Sequence, residues 1–353
     1  MSNKPKVKKI IVESIMTNDE IAKMEGMYFP ESHYKHIIKK DCDVWGINKE
    51  TGKKKLLLRL RKKVIPNKFC RLAVKAFADA AKKKHENRGA AGGHLDRNKL
   101  RSYVGDLINS GKFRSGYVSS KSGEKSNQLI SNLAPSNIVG FYDKPDRNLK
   151  GKGAPCRLTA FNRDNSDLFD KAQPFIKKVD RMFKKLVPAA YKRQHDRAHK
   201  TPDFAIGDTC FSTITINYSW RTGLHRDAGD FEGGYGNLVV CEDENNPNKF
   251  RGCYLGFPQY GVAVDVREGD FLAMDVHEWH ANTEFKPWRK NSKVVKISKG
   301  NNGDDKNDII NDWHYNRLSM VFYLREGMVK CKNKKLTRNK NKAKLKTRKT
   351  LEK

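Results

Sequence analysis

Two histidines, an aspartate and an arginine in the C-terminal half of the chain have the types and spacing of a metal site beside an anion site. In the run TGLHRDAGDFEGGYG, His225 and Asp227 stand two residues apart, so on an extended backbone both side chains leave the same face. A chain with ten histidines contains about one such His-x-Asp pair by chance, so the pair needs company. Downstream, GDFLAMDVHEWHANTEF offers His277 and His280 at the end of a strand-like run, and either could supply a third ligand. Two histidines and a carboxylate on one face of a metal form the facial triad of non-haem Fe(II) oxygenases, which leaves further coordination positions open. NRLSMVFYLRE then places Arg317 at the head of an apolar strand. An inward-facing arginine is costly unless it meets an anion. The far carboxylate of 2-oxoglutarate would match its guanidinium fork.

The elements that must position these residues fall into two textures. From about residue 205, CFSTITINYSW, YGNLVVCE, CYLGFPQYGVAVDV, GDFLAMDV and RLSMVFYLRE are short β-rich runs separated by Gly, Asp and Asn, which predicts an antiparallel sandwich or barrel. Earlier, GKKKLLLRLRKKVI (52–65) reads as a strand with one wet face. NKFCRLAVKAFADAAKKKHEN (67–87) carries Phe69, Leu72, Ala73, Ala76, Phe77 and Ala80 at helical spacing. A second helix is predicted from about Ser166 to Val187, with Pro174 opening its main part. Its exposed row Lys177, Lys178, Arg181, Lys184 and Lys185 suits a solvated face or phosphate contacts. RGAAGGHLD has no P-loop pattern and reads as a flexible connection or a helix stop; residues 110–135 read as an exposed loop.

The chain of 353 residues carries a formal net charge of +32. Residues 329–353 hold twelve Lys or Arg against one Glu, a net +11, which leaves +21 for the remainder. Such a field favours a polyanion, nucleic acid before an anionic membrane surface. The seven cysteines are scattered without a C-x-x-C pair, so neither a disulfide framework nor a cysteine zinc site is expected. No apolar run reaches membrane-spanning length and no signal-peptide core opens the chain, which predicts a soluble intracellular protein.

The linked motifs TINYSWRTGLHRDAGDFEGGYGNLVV, GFPQYGVAVDVREGDFLAMDVHEWHAN and NRLSMVFYLRE resemble the catalytic core of the TET/JBP group over residues 210–326. These are Fe(II)- and 2-oxoglutarate-dependent dioxygenases that oxidise the 5-methyl group of pyrimidines in DNA. CRLTAFNRDN is similar to segments of viral members. The resemblance implies an α+β protein with a double-stranded β-helix (jelly-roll) core over 205–328. A helix-rich basic extension, 1–204, would pack on it; residues 286–315 would be an insertion and 329–353 a disordered basic tail. It implies iron ligands His225, Asp227 and His280, the last preferred over His277 because it directly precedes the ANTEF exit. Arg317, Ser319 and Asn217 would bind 2-oxoglutarate, with Arg157 or Arg221 as runners-up for the anion.

For the base, the resemblance points to Asp230 and Arg325. Thymine-hydroxylating JBP members carry Asp and Arg at these places, where methylcytosine-oxidising TET members carry Asn and His. Thymine offers an N3–H donor to Asp230 and carbonyl acceptors to Arg325. The implied reaction is O2-dependent hydroxylation of thymine in DNA to 5-hydroxymethyluracil by a monomer working with DNA, in a nucleus or a viral replication compartment. The alternatives are a 5-methylcytosine dioxygenase, a catalytically inert basic DNA-binding protein and a protein hydroxylase of the same fold. In a surface role, Asp230 would cap the following turn and Arg325 would pair with an acid.

Overall fold

Alternation of side chains along a strand lets one segment serve two cores, and this determines the layering. In the computed structural model, which describes residues 7–85, 88–94, 96, 131–144, 156–289 and 315–331, sixteen strands form three sheets. They are β1 Lys8–Glu13, β2 His36–Ile38, β3 Cys42–Ile47, β4 Lys54–Arg61, β5 Lys84–His85, β6 Ala134–Tyr142, β7 Arg157–Leu158 and β8 Thr213–Tyr218. The others are β9 Gly236–Glu242, β10 Phe250–Gly252, β11 Leu255–Phe257, β12 Val262–Val264, β13 Phe271–Met274, β14 Ala281–Asn282, β15 Phe285–Pro287 and β16 Arg317–Tyr323. The largest sheet runs β1-β3-β4-β13-β9-β16-β8-β6-β5, with β7 added on β6. A four-stranded sheet, β14-β11-β12-β2, faces part of it, and β10 pairs with β15.

Along β16, Leu318, Met320 and Phe322 join Ile214 and Ile216 of β8 and Val239 of β9 in one buried cluster. The helices that cover this face are α1 Asn18–Lys23 excepted: α2 Asn67–Lys82, α3 Ala160–Asp164, α4 Ser166–Leu186 and α5 Pro188–Ala198, with Phe77, Phe175 and Phe183 the largest side chains they bury there. The opposite residues of the sheet, Leu238, Val240, Leu272 and Met274, meet Leu255, Phe257, Val262 and Val264 of the small sheet in a second cluster. The order is helices, large sheet, small sheet.

Several expectations change. The segment before residue 205 is not only helical: β1, β3, β4, β5, β6 and β7 belong to the large sheet and β2 to the small one. β4 pairs with β13, β6 with β8 and β2 with β12, so N-terminal strands satisfy the exposed edges of the later ones. The sheets are consequently mixed, because β1 pairs with β3, and β2 with β12, in parallel. Pro174 lies inside α4 rather than at its start. Proline's fixed φ suits the helix, and burial of Phe175, Ile176, Val179 and Phe183 outweighs one lost backbone hydrogen bond. In the basic row of α4, Lys177, Arg181, Lys184 and Lys185 are exposed and Lys178 is half-buried, on the side of the sheet away from the small one, which fits a solvated face. Cys156 and Cys331, 175 residues apart, are joined in a disulfide that their spacing did not predict; the fold brings both beside Met328.

Within the expected loop 110–135, Ser131 and Asn132 are buried and Ala134 opens β6; the rest, up to residue 130, lies outside the described residues. So do 290–314 of the expected insertion and 332–353 of the expected tail, while the 3-10 turn Glu326–Lys330 continues the fold past residue 328. Among the described residues no helix is long and apolar enough to cross a membrane.

Candidate metal centre and substrate cavity

Between the two sheets opens a cavity of about 370 Å³, and the alternation of β16 and β8 decides what enters it. Arg317, Ser319, Val321 and Tyr323, opposite in sense to the helix-facing residues, line it together with Thr215 and Asn217. Ser319 and Asn217 are direct cross-strand partners. Asn217 also accepts a hydrogen bond from Ser136 Oγ, which fixes its amide oxygen.

His225 and His280 lie opposite each other in an antiparallel bridge, each backbone N–H donating to the other's carbonyl at 3.0 Å. The His225–Asp227 segment is extended but forms only this bridge, not a regular strand. The two-residue spacing still sends both side chains the same way. His225 Nδ1 sits 2.8 Å from the Gly223 carbonyl and His280 Nδ1 2.9 Å from the Glu278 carbonyl. Each Nδ1 therefore carries the proton that it donates, and each Nε2 keeps a lone pair for a metal. The Asp227 carboxylate stands 3.8 Å from both Nε2 atoms. All three ligand atoms lie within 4.8 Å of one another, so His225, Asp227 and His280 can hold one ion. Burial, and after it the neighbouring His280, lowers the pKa of His225 to about 4, which keeps its imidazole neutral as a ligand must be.

His277 is absent from this group. Its Nε2 lies 3.2 Å from the Asp230 carbonyl and its Nδ1 3.5 Å from Asp275, so both ring nitrogens are engaged elsewhere. Arg157 is also outside, donating to the Lys144 carbonyl, and Arg221 donates to the Asn282 and Phe29 carbonyls beside a second hollow near Tyr28. Of the three arginines considered for an anion, Arg317 alone lines the cavity. It is buried, burial lowers its pKa, and its Nε has no hydrogen-bond partner. A sealed guanidinium with an orphaned donor is what a missing carboxylate would leave behind. Two neutral imidazoles and a carboxylate form a donor set suited to Fe(II). The residues present fit both groups.

The family model of Tet_JBP, the oxygenase domain of the 2OGFeDO superfamily, matches residues 137–326, more than half of the chain. The chain belongs to the Tet_JBP family. Its metal and co-substrate are Fe(II) and 2-oxoglutarate, consistent with the donor set above. It is 32% identical over 193 residues to the bifunctional helicase and thymine dioxygenase JBP2 of Leishmania major, covering 54% of this chain and 14% of that protein. It is 31% identical over 202 residues to the thymine dioxygenase JBP1 of Trypanosoma brucei brucei, covering 57% of this chain and 20% of that protein. The chain thus spans a fifth or less of the length of these relatives. A solved structure of NgTET1 in complex with 5mC DNA is similar at a TM-score of 0.40 and 10% identity, over 89% of this chain and 92% of that one.

At the far end of β16 the residues expected to read the base also line the cavity. Asp230 is buried, and its Oδ2 has no partner. Burial first, then Asp227, raises its pKa well above the usual carboxylate range, against the pull of Arg325. The backbones of Asp230 and Arg325 form a bridge, yet Arg325 gives its Nε to Asp143 at 2.8 Å and lies over the Tyr142 ring. Arg325 is therefore partly committed to an acid, while it still lines the cavity. Tyr323 and Thr215 were legible by counting in twos from Arg317 and Asn217. Arg88, Ala90 and Ala91, which also line the cavity, carried no such signal.

Proposed function

We propose that this Tet_JBP protein hydroxylates the 5-methyl group of thymine in DNA, yielding 5-hydroxymethyluracil. The observation that carries the reading is a His225–Asp227–His280 cluster sharing one cavity with Arg317, whose buried Nε has no partner among the described residues. Relatives named thymine dioxygenases support the choice of base. The two facing sheets are read as a double-stranded β-helix with helices and N-terminal strands added around it. Fe(II) with 2-oxoglutarate and O2 supplies the oxidation of an unactivated methyl group, releasing succinate and CO2.

The chain's own residues do the rest. His225, Asp227 and His280 hold the metal. Arg317 receives the far carboxylate of 2-oxoglutarate in a charge-assisted pair, with Ser319 and Asn217 beside it. Leu238, Val321 and Met274 make the cavity wall apolar and limit water. Asp230 accepts from thymine N3–H and Arg325 donates to a carbonyl. A base stacked in a duplex cannot enter such a cavity, so it must be flipped out or presented on a single strand. The high positive charge attracts that DNA and places the protein where DNA is, in a nucleus or a viral replication compartment.

Nucleoside mass spectrometry after incubation with Fe(II), 2-oxoglutarate and DNA containing thymine and 5-methylcytosine tests this. The expected product is 5-hydroxymethyluracil with matching succinate. Product from 5-methylcytosine alone would replace thymine with that base, and no oxidised nucleoside from either would overturn a DNA-base activity.

A further inference from the structure

A strand at the edge of a sheet presents unpaired backbone N–H and C=O groups, and β1 is the long edge of the large sheet. The opposite edge is the two-residue β5, whereas β1 runs for six residues in unbroken parallel register with β3. Among the described residues no strand pairs with its outer side. Ser14 N donates to the Ile47 carbonyl at 2.9 Å, so by alternation along the strand the backbone groups of Lys9, Ile11 and Glu13 turn outward. The open edge ends at Ile15, whose N–H is taken by the Gln259 carbonyl at 2.8 Å.

The side chains of this segment divide by parity. Val12 is buried and Ile10 half-buried in the cluster shared with the small sheet. Val7, Lys9, Ile11, Glu13 and Ile15 form an exposed row on the other face, with Ile11 and Ile15 each 49% exposed. Lys9 lies over the Trp45 ring and Glu13 meets Lys49 at 3.1 Å, both at the surface. The row is its own complement. When a second β1 lies antiparallel with its centre at Ile11, Ile11 faces Ile11, Lys9 faces Glu13 and Ile10 faces Val12. The outward groups of Lys9, Ile11 and Glu13 then meet as hydrogen-bonded pairs, and Ile10 with Val12 as non-hydrogen-bonded ones. Opposite charges and apolar side chains each find their like partner across the strands, which is what stabilises a sheet. Moving the centre to Ile10 or Val12 would set both charges against Val7, Ile11 or Ile15, so one register is favoured.

We propose that β1 is a homodimer interface that joins the large sheets of two copies of this chain about a twofold axis at Ile11. The monomer expected from the sequence is then the dilute form. A single strand pair is small for an interface, so association belongs in the micromolar range rather than to an obligate dimer. β3, β4, β13 and β9 separate β1 from β16, which leaves the cavity outside the interface.

The test is sedimentation equilibrium of the full chain across the micromolar range, at about 0.3 M salt to screen the like net charges of two copies. Wild type should pass from one chain mass to two. Lys9→Glu and Glu13→Lys each set like charges opposite one another in both symmetric pairs, and each should weaken the dimer roughly 10-fold or more. Combining Lys9→Glu with Glu13→Lys makes both pairs opposite in charge again and should recover wild-type association. Ile11→Pro removes an outward donor without removing a bond to β3, and should abolish the dimer. Thermal midpoint and turnover per chain should stay near wild type in the charge variants. Hydrogen exchange reads the same bonds: the Lys9, Ile11 and Glu13 amides should gain protection as concentration rises. Protection at every concentration in a chain of single mass would mean that the chain covers its own edge, and overturns the proposal. So does a single mass throughout, a dimer indifferent to the single charge reversals, or one that the combined variant fails to restore.

Discussion

His280 and His277 are three residues apart in one segment, and their ring nitrogens separate them. Both Nε2 atoms of the His225–His280 pair face Asp227, whereas His277 spends its nitrogens on Asp275 and the Asp230 carbonyl. His225→Ala, Asp227→Ala and His280→Ala should each abolish turnover and stoichiometric iron binding, measured by metal analysis of the purified protein. His277→Ala should keep its iron; a dead, metal-free His277→Ala beside an active His280→Ala would reverse the assignment. Arg317→Ala should leave iron in place and weaken 2-oxoglutarate binding by about 2–5 kcal/mol, because a desolvated charged pair is lost. Titration calorimetry checks it, and an unchanged affinity would move the anion site. Asp230→Asn should reduce activity on thymine far more than on 5-methylcytosine, since an amide no longer guarantees an acceptor for N3–H. Equal losses on the two bases, compared by nucleoside mass spectrometry, would remove Asp230 from base recognition.

The elements hold these residues through two faces of one sheet. Phe183 is fully buried in the helix-facing cluster, stacked on Phe211 of the segment leading into β8. Phe183→Ala should therefore cost about 3–5 kcal/mol, seen as a lower denaturation midpoint. Gly223 sits where the His225 segment meets the Arg88 wall: a Cβ there would stand 2.8 Å from the Gly26 carbonyl oxygen and 3.0 Å from that of Ala90. Backbone cannot yield as a flexible side chain can. Gly223→Ala should destabilise by about 1–3 kcal/mol and depress turnover by parting the metal segment from its wall. A variant as stable and active as wild type would show that the contact carries no strain.

At the scale of the molecule, helices cover one face of the large sheet while the cavity opens on the other, so the exposed cations of α4 lie across the sheet from the chemistry. On the proposed reading that the cavity takes a DNA base, phosphate contacts must come from elsewhere. The lysines and arginines after Cys331 are candidates by charge alone. Each phosphate neutralised contributes about −0.9 to the slope of log affinity against log salt. Removing 332–353 should flatten that slope and weaken binding at moderate salt, while turnover at saturating DNA and low salt stays near wild type. Parallel slopes from the full and shortened chains would assign the phosphate contacts to the remaining basic surface.

His225 and Asp227, the period-2 pattern of β16 and the period-3.6 faces of α2 and α4 were legible in the sequence, because each depends on neighbours a few residues away. So was the basic charge, which depends on composition alone. Motif context favoured His280 over His277, and in the structure His280 rather than His277 clusters with His225 and Asp227. What required the tertiary structure was pairing between distant segments: β4 on β13, β6 on β8, Cys156 with Cys331, Arg325 with Asp143. Pro174 escaped the local rule because the apolar face of α4 outweighs one missing hydrogen bond. Arg88 escaped for a related reason. A lone arginine before a glycine-rich turn has no period and no spacing to betray it, and only the packing of that turn against Gly223 and Asn132 brings Arg88 to the cavity wall.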